Sequence, residues 1–179
     1  RLPVTTVLNP AFREGSVRSL WTAREALSSG NDVLLMDADV LYAPALLKIL
    51  ADSHHANCFL LDRDLPPGDE PVKICVRDGR IVEFRKRPDP AIRWDFAGES
   101  VGFFKFSPHA AAELAATTER YIGQQRQTEA YEEAIRDMIL ADTQPLGFED
   151  ITSTPWIEID FPDDVSRARD DILPRIAHD

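Results

Sequence analysis

Glycine is scarce in this 179-residue chain, which has 8, and none of them builds a glycine-rich loop that would cradle a phosphate. Cysteine is scarcer: Cys58 and Cys75 stand alone. Two cysteines do not make a disulfide framework, so a reducing cytoplasm is the expected compartment. Both lie in apolar, strand-like stretches and read as small buried hydrophobes. No apolar run approaches the ~20 residues that span a bilayer, and no charged stretch leading into an apolar one marks a secretory signal, so no membrane partner is expected. Positive charge is in deficit, with 20 Lys+Arg against 31 Asp+Glu and a formal net charge of -11. Such a surface repels nucleic-acid phosphates. A small anionic substrate stays compatible, because a bound divalent cation inverts the local sign, and a cationic head group would suit it directly.

What is present alternates between strand and helix patterns. Val4–Leu8 reads as a β-branched strand ending at the turn signal Asn9-Pro10. Ser16 is placed to cap a helix whose apolar positions Val17, Leu20, Trp21 and Leu27 recur at helical spacing, and Gly30 stands at its far end. VLLM, after Asp32, suits a buried parallel strand. A helix over about Pro44–Asp52 and a strand in ANCFLLD follow. PVKICVRDGRIVEFRKR alternates on either side of Asp78-Gly79, a strong hairpin signal. Beyond an irregular stretch come the strand VGFFKF, helices near Pro108–Thr118 and Glu129–Leu140, the strands GFEDI and PWIEID, and a last helix over about Pro162–Ile176. The sum is a three-layer α/β/α, Rossmann-like domain spanning residues 1–179, with a mostly parallel sheet and an inserted β-hairpin.

Ligands in such sheets bind beyond the carboxyl ends of the parallel strands, and there the chain places DADV. Asp37 and Asp39 share one face of an extended chain, as either a Mg²⁺ ligand pair or caps of the following turn and helix. WIEIDFPDD repeats the arrangement: Glu158 and Asp160 face one way, Ile157 and Ile159 the other. The two pairs would converge on one divalent ion. Asp163 and Asp164 read as favourable charge at a helix N-terminus. Trp94, Phe96, Tyr131 and Trp156, with Asp95, Glu132 or Glu133, are candidates for an aromatic box around a quaternary ammonium. Core packing is the plainer alternative for Tyr131 and Trp156, whereas Trp94 lies in a polar, proline-bounded loop. His54, His55, His109 and His178 show no metal-ligand spacing to one another or to cysteine and read as solvated or capping side chains.

The ordered series NP, VLLMDADV, the DG hairpin leading to EFRK, GESVGFFKFS, YEEAI and PWIEIDFPDDV resembles bacterial nucleotidyltransferases of the phosphocholine cytidylyltransferase type, beside aminoethylphosphonate and inositol-phosphate cytidylyltransferases, over almost the whole chain. The resemblance implies transfer of a nucleotidyl group, cytidylyl above all, from an NTP to a small phosphorylated acceptor such as phosphocholine, with release of pyrophosphate. It implies Mg²⁺ held by Asp39 and Asp160, with Asp37 auxiliary, and Lys86 aimed at a phosphate. It puts Glu99 and Ser100 in the turn lining the acceptor pocket, where Gly98 and Gly102 allow close backbone approach. Tyr131, Glu132, Trp156 and Glu158 join them as substrate-binding candidates.

Members of that family open with a strand and a Gly-rich loop around the triphosphate, and this sequence has no counterpart. If a central strand were thereby left at an edge, the chain would self-associate through it and turn over no substrate; a stable monomer in sedimentation would speak against the association. Three other readings compete: a sugar-1-phosphate nucleotidyltransferase, which the few asparagines disfavour; a glycosyltransferase of the GT-A type using DADV for its metal; and a non-catalytic nucleotide-binding relative.

Overall fold

The computed structural model describes residues 3–64, 68 and 70–177; His178 lies outside them. In chain order the elements are α1 (Ser16–Thr22), α2 (Arg24–Leu27), β1 (Val33–Met36), β2 (Val40–Tyr42), α3 (Pro44–Asp52) and β3 (Cys58–Asp62). The hairpin β4 (Lys73–Arg77) and β5 (Arg80–Arg85) follows, then the long strand β6 (Phe96–Phe106). The remainder is α4 (Pro108–Gly123), α5 (Tyr131–Ala141), β7 (Gly147–Asp150), β8 (Trp156–Glu158), α6 (Pro162–Arg167) and α7 (Leu173–Ile176). Among the described residues no helix is long and apolar enough to cross a membrane.

The chain divides into two compact units, one of residues 1–33 with 106–144 and one of 34–105 with 145–179. The first holds α1, α2, α4 and α5. Its α4 starts at Pro108, a favourable first position, and Ser107 Oγ accepts from the backbone N–H of Ala110 at 3.4 Å. Tyr121 on α4 is fully buried and donates its hydroxyl to Asp137 on α5 at 3.0 Å. Arg126 caps the Tyr121 ring at 3.8 Å while forming a two-pronged pair with Glu129 at 2.7 and 2.8 Å. Ser16 does not cap its own helix as expected. Gly15, at φ 148°, holds the N-cap position, and Ser16 Oγ accepts from the N–H of Tyr131 at 2.9 Å. A methyl on Gly15 would lie 2.6 Å from the carbonyl oxygen of Gln127.

The second unit carries the sheet, in the order β5-β4-β6-β3-β7 with β1 beside β6. β3–β7 is parallel, while β3–β6, β4–β5 and β4–β6 are antiparallel. The α/β expectation is met, but the sheet is mixed rather than mostly parallel. The direction of β6 causes this, since it runs antiparallel to the central strand β3, and the inserted hairpin adds two further antiparallel ladders at one edge through β4. Its two-residue loop puts Asp78 at φ 51° and Gly79 at φ 73°, the left-handed pair that a tight hairpin demands. β6 is longer than VGFFKF alone because Phe96–Ser100 pair with β4 and β3. Val4–Leu8, expected as a strand, is exposed and without regular structure, having no ladder partner among the described residues. The expected last helix is divided: a π-helical turn over Ala168–Ile172 separates α6 from α7, just before Pro174, which lacks an N–H to donate.

β3 is buried at every position. Leu46 and Leu50 of α3 join Cys58, Leu60, Val101, Phe103 and Ile151 in one cluster, with Met36, Tyr42 and Trp156 packed against it. A second knot holds Phe59, Phe84 and Phe104 edge to face, with centroids 4.8–5.9 Å apart. Both cysteines are buried and unpaired; burial raises the thiol of Cys58 and pushes that of Cys75 up to about 11, so neither is reactive. Because Phe59 touches both other rings and is fully buried, Phe59→Ala is expected to cost about 3–5 kcal/mol, read as a lower midpoint in urea unfolding.

Candidate active site

A two-stranded ladder builds the site. β2 and β8 run antiparallel with Val40 opposite Glu158, Leu41 opposite Ile157 and Tyr42 opposite Trp156. The pairing continues one step outward, where the N–H of Ile159 donates to the carbonyl of Asp39 at 2.9 Å. Val40, Tyr42 and Trp156 pack on the α3 cluster, and Glu158 follows Trp156 on the same face of the ladder, at its outer end. Asp39, Glu158 and Asp160 thereby each present a carboxylate oxygen within 4.8 Å of the other two, and all three are exposed. Asp37 lies two residues before Asp39, at the end of β1, where its N–H donates to the carbonyl of Gly102 at 3.1 Å. Gly102 has φ 74°, and a methyl there would fall 2.2 Å from Asp37 Oδ2, so the carboxylate occupies the space that only glycine leaves.

Beside this cluster opens a cleft of about 410 Å³, lined by Asp62, Asp64, Glu70, Glu99, Glu158, Asp160 and Asp164, by Trp156, Ile157, Phe161 and Pro71, and by one basic side chain, Arg167. Asp62 ends the buried strand β3 and is 9% exposed. It accepts the indole N–H of Trp156 at 2.7 Å, which fixes the ring in the wall. Asp164 is engaged in building α6: Oδ2 accepts from the N–H of Phe161 at 2.9 Å and of Asp160 at 3.3 Å, and Oδ1 meets Arg167 at 3.2 Å. This is the helix-end role expected for it.

The remaining carboxylates crowd one another. Burial pushes Glu99 up to about 7, with Asp62 adding to the shift and Lys73 and Arg167 opposing it. Glu158 is also pushed up to about 7. Desolvation of its carboxyl is the largest cause, although the side chain keeps an exposed face, followed by Asp160, Asp39, Asp37 and Glu99.

The other expected site residues fall differently. Lys86 lies just past β5, outside the cleft wall, and pairs with Glu70 at 3.2 Å in an exposed position. Ser100 also lies outside the wall; its hydroxyl accepts from the N–H of Gly102 at 3.2 Å. Of this unit's aromatic candidates only Trp156 lines the cleft. The Phe96 ring is covered by Arg63 at 4.4 Å and stacks edge-on against Phe148, and Trp94 is 38% exposed in its loop. Tyr131 and Glu132 belong to the other compact unit, in the first turn of α5. Several wall residues escaped the sequence reading, Asp62, Asp64, Glu70, Pro71, Phe161 and Arg167 among them. Asp62 carried the signal used for Asp37, an acid closing an apolar strand. Phe161, 64% exposed beside Asp160, carried only the oddity of an aromatic with no apolar periodicity.

No family model matches the chain. A curated relative, the CMP-5'-(3-aminopropyl)phosphonate synthase of Streptomyces rubellomurinus (strain ATCC 31215), is 26% identical over 170 residues, 90% of this chain and 26% of that protein. Among solved structures, the inositol-1-phosphate CTP transferase from T. maritima superposes with a TM-score of 0.70 at 20% identity, covering 94% of this chain and 64% of that one. The nucleoside-diphosphate-sugar pyrophosphorylase from Vibrio cholerae RC9 gives 0.57 at 12% identity, over 86% and 64%. The fold is that of the nucleotidyltransferases. The chain spans about a quarter of the curated relative's length and under two thirds of these structural neighbours.

The raised carboxyls set a pH dependence. Both Glu99 and Glu158 hold a proton more tightly folded than their ordinary value of 4.5. Between about pH 4.5 and 7 the folded chain therefore binds more protons than the unfolded one, and stability falls as pH rises through that window. Melting temperatures are expected to be lower at about pH 8 than at about pH 5.5, and Glu158→Gln and Glu99→Gln should flatten the slope and raise stability at the higher pH.

Proposed function

We propose that this chain carries the metal and acceptor sites of a nucleotidyltransferase that moves a cytidylyl group from CTP to a small phosphorylated or phosphonylated acceptor with a cationic head, releasing pyrophosphate. The observation that carries the reading is the convergence of Asp39, Glu158 and Asp160 at the mouth of an acidic, part-aromatic cleft.

Three carboxylate oxygens within 4.8 Å of one another suit a hard divalent cation, Mg²⁺ by preference, and such an ion would relieve the repulsion that adds to desolvation in raising Glu158. On this reading Asp39 and Asp160 hold Mg²⁺, Glu158 completes the set and Asp37 assists. The bound ion would supply charge neutralisation on the α-phosphate under attack. Everything else falls to the chain's own side chains. The acceptor's cationic head rests against Trp156, kept in place by Asp62, with Glu99 supplying the opposite charge and Phe161 screening the rim. That places the acceptor's own oxyanion toward the metal end, oriented for in-line attack. Lys86 is free to turn toward a phosphate, because its exposed pair with Glu70 is worth only about 0–1 kcal/mol. The name of the curated relative, a CMP-aminopropylphosphonate synthase, supports both the cytidylyl donor and an amine-bearing acceptor. Residues 1–179 would belong to one nucleotidyltransferase domain.

The test is pyrophosphate release by the full-length protein from CTP with phosphocholine, an aminoalkylphosphonate, inositol phosphate and glucose 1-phosphate in turn. Turnover is expected with the cationic acceptors and Mg²⁺. Asp39→Asn and Asp160→Asn should each lower kcat/KM by about 10² or more, and Glu99→Gln should raise KM for the acceptor far more than it changes kcat. Undiminished turnover in either aspartate variant would overturn the metal assignment. Preference for the neutral sugar phosphate would overturn the acceptor assignment and leave the reaction class standing.

A further inference from the structure

A second group of metal-binding side chains lies away from the cleft. The turn that follows α3 carries His54 and His55, and β7 carries Glu149; one ring nitrogen of each histidine and a carboxylate oxygen lie within 4.8 Å of one another. We propose that these three residues form a site for a first-row transition-metal ion, Zn²⁺ by preference, which fastens the α3–β3 turn to β7. The site is independent of the catalytic reading above.

Its frame is already built around the three ligands. Ser53 donates its hydroxyl to Glu149 Oε1 at 2.7 Å and accepts the N–H of His55 at 3.2 Å, so one side chain sets both the carboxylate and the backbone of the turn. His55 packs where Gly147 has no side chain; a Cβ there would lie 2.3 Å from the imidazole ring. Gly147 is in turn fixed by its N–H on the carbonyl of Asn57 at 2.9 Å, and Asn57, 1% exposed, donates to the carbonyl of Pro145 at 3.1 Å. Lys105 holds the carbonyls of Ala51 and Ser53 at 3.1 and 3.0 Å and fixes the end of α3. Outer partners of this kind orient metal ligands and hold them at their posts.

The donor chemistry separates this site from the one at Asp39. Two imidazole nitrogens and one carboxylate suit zinc, cobalt, nickel or copper, whereas three carboxylates suit magnesium. Tetrahedral zinc with bonds of about 2.0–2.1 Å sets its ligand atoms roughly 3.3 Å apart. His54, whose side chain is 81% exposed, has the freedom to close that gap. With three protein ligands, one position remains for water.

The experiment titrates Zn²⁺, and Co²⁺ for its visible absorption, into the chain and into an Asp39→Asn/Asp160→Asn double variant that removes the competing oxygen site. One ion per chain is expected in the double variant and at least one in the parent, with cobalt bands showing nitrogen ligation in both and a melting temperature raised by roughly 5–10 °C at about 100 times the Kd. His54→Ala, a surface change that leaves the fold intact, should weaken zinc binding at least about tenfold, as should Glu149→Gln. Zinc binding that survives His54→Ala, that disappears in the double aspartate variant, or that is absent from the parent chain overturns the proposal.

Discussion

Four carboxylates cannot be gathered without a force that resists their repulsion, and here that force is the short ladder between β2 and β8. It joins residues more than a hundred positions apart and is extended by the bond from Ile159 to Asp39. Its register decides everything downstream. With Val40 opposite Glu158, the face that packs Val40, Tyr42 and Trp156 on the α3 cluster continues into Glu158, and the acids gather at the outer end of the ladder. A slip of one residue would reverse both faces at once. The crowding is visible in Glu158, whose proton is held to about 7 by desolvation and by Asp160, Asp39 and Asp37 in turn.

The cleft extends the same constraint. Trp156 is opposite Tyr42 in that ladder, and its indole N–H reaches the carboxylate closing β3. The sheet and the ladder are thus tied by one hydrogen bond at the wall of the cleft. Glu99 comes to the same wall because β6 pairs on one side with β4, opposite Lys73, and on the other with β3, opposite Asp62. Hairpin insertion therefore does more than lengthen the sheet. It sets Lys73 opposite Glu99, on the other side from Asp62.

Much of this was legible in the residues, for local reasons. Asp78-Gly79 announces its hairpin because few residues accept its backbone angles, and Pro44 and Pro108 announce helix starts because they need no N–H there. Asp37, Asp39, Glu158 and Asp160 were legible as pairs because an extended chain turns alternate residues to one side. Val4–Leu8 was misread because a β-branched run becomes a strand only beside a partner. Phe96–Ser100 were missed for the converse reason: their composition is poor for a strand, and the pairing with β4 and β3 overrides it. The aromatic box did not gather around the cleft as drawn, since Phe96 is taken by Arg63 and Phe148. Asp62 with Trp156, and the histidine pair with Glu149, are contacts between residues more than ninety positions apart, and spacing rules within one segment do not reach them.

The most direct measurement is electron paramagnetic resonance of Mn²⁺ titrated, without nucleotide, into the chain carrying His54→Ala and Glu149→Gln, so that only the ladder's acids can retain it. The account predicts one retained Mn²⁺ that Mg²⁺ displaces and that Asp39→Asn releases. Free Mn²⁺ signal at every ratio, or an ion that stays bound when Asp39 and Asp160 are both changed to Asn, would contradict the claim that the β2–β8 ladder builds a cation site.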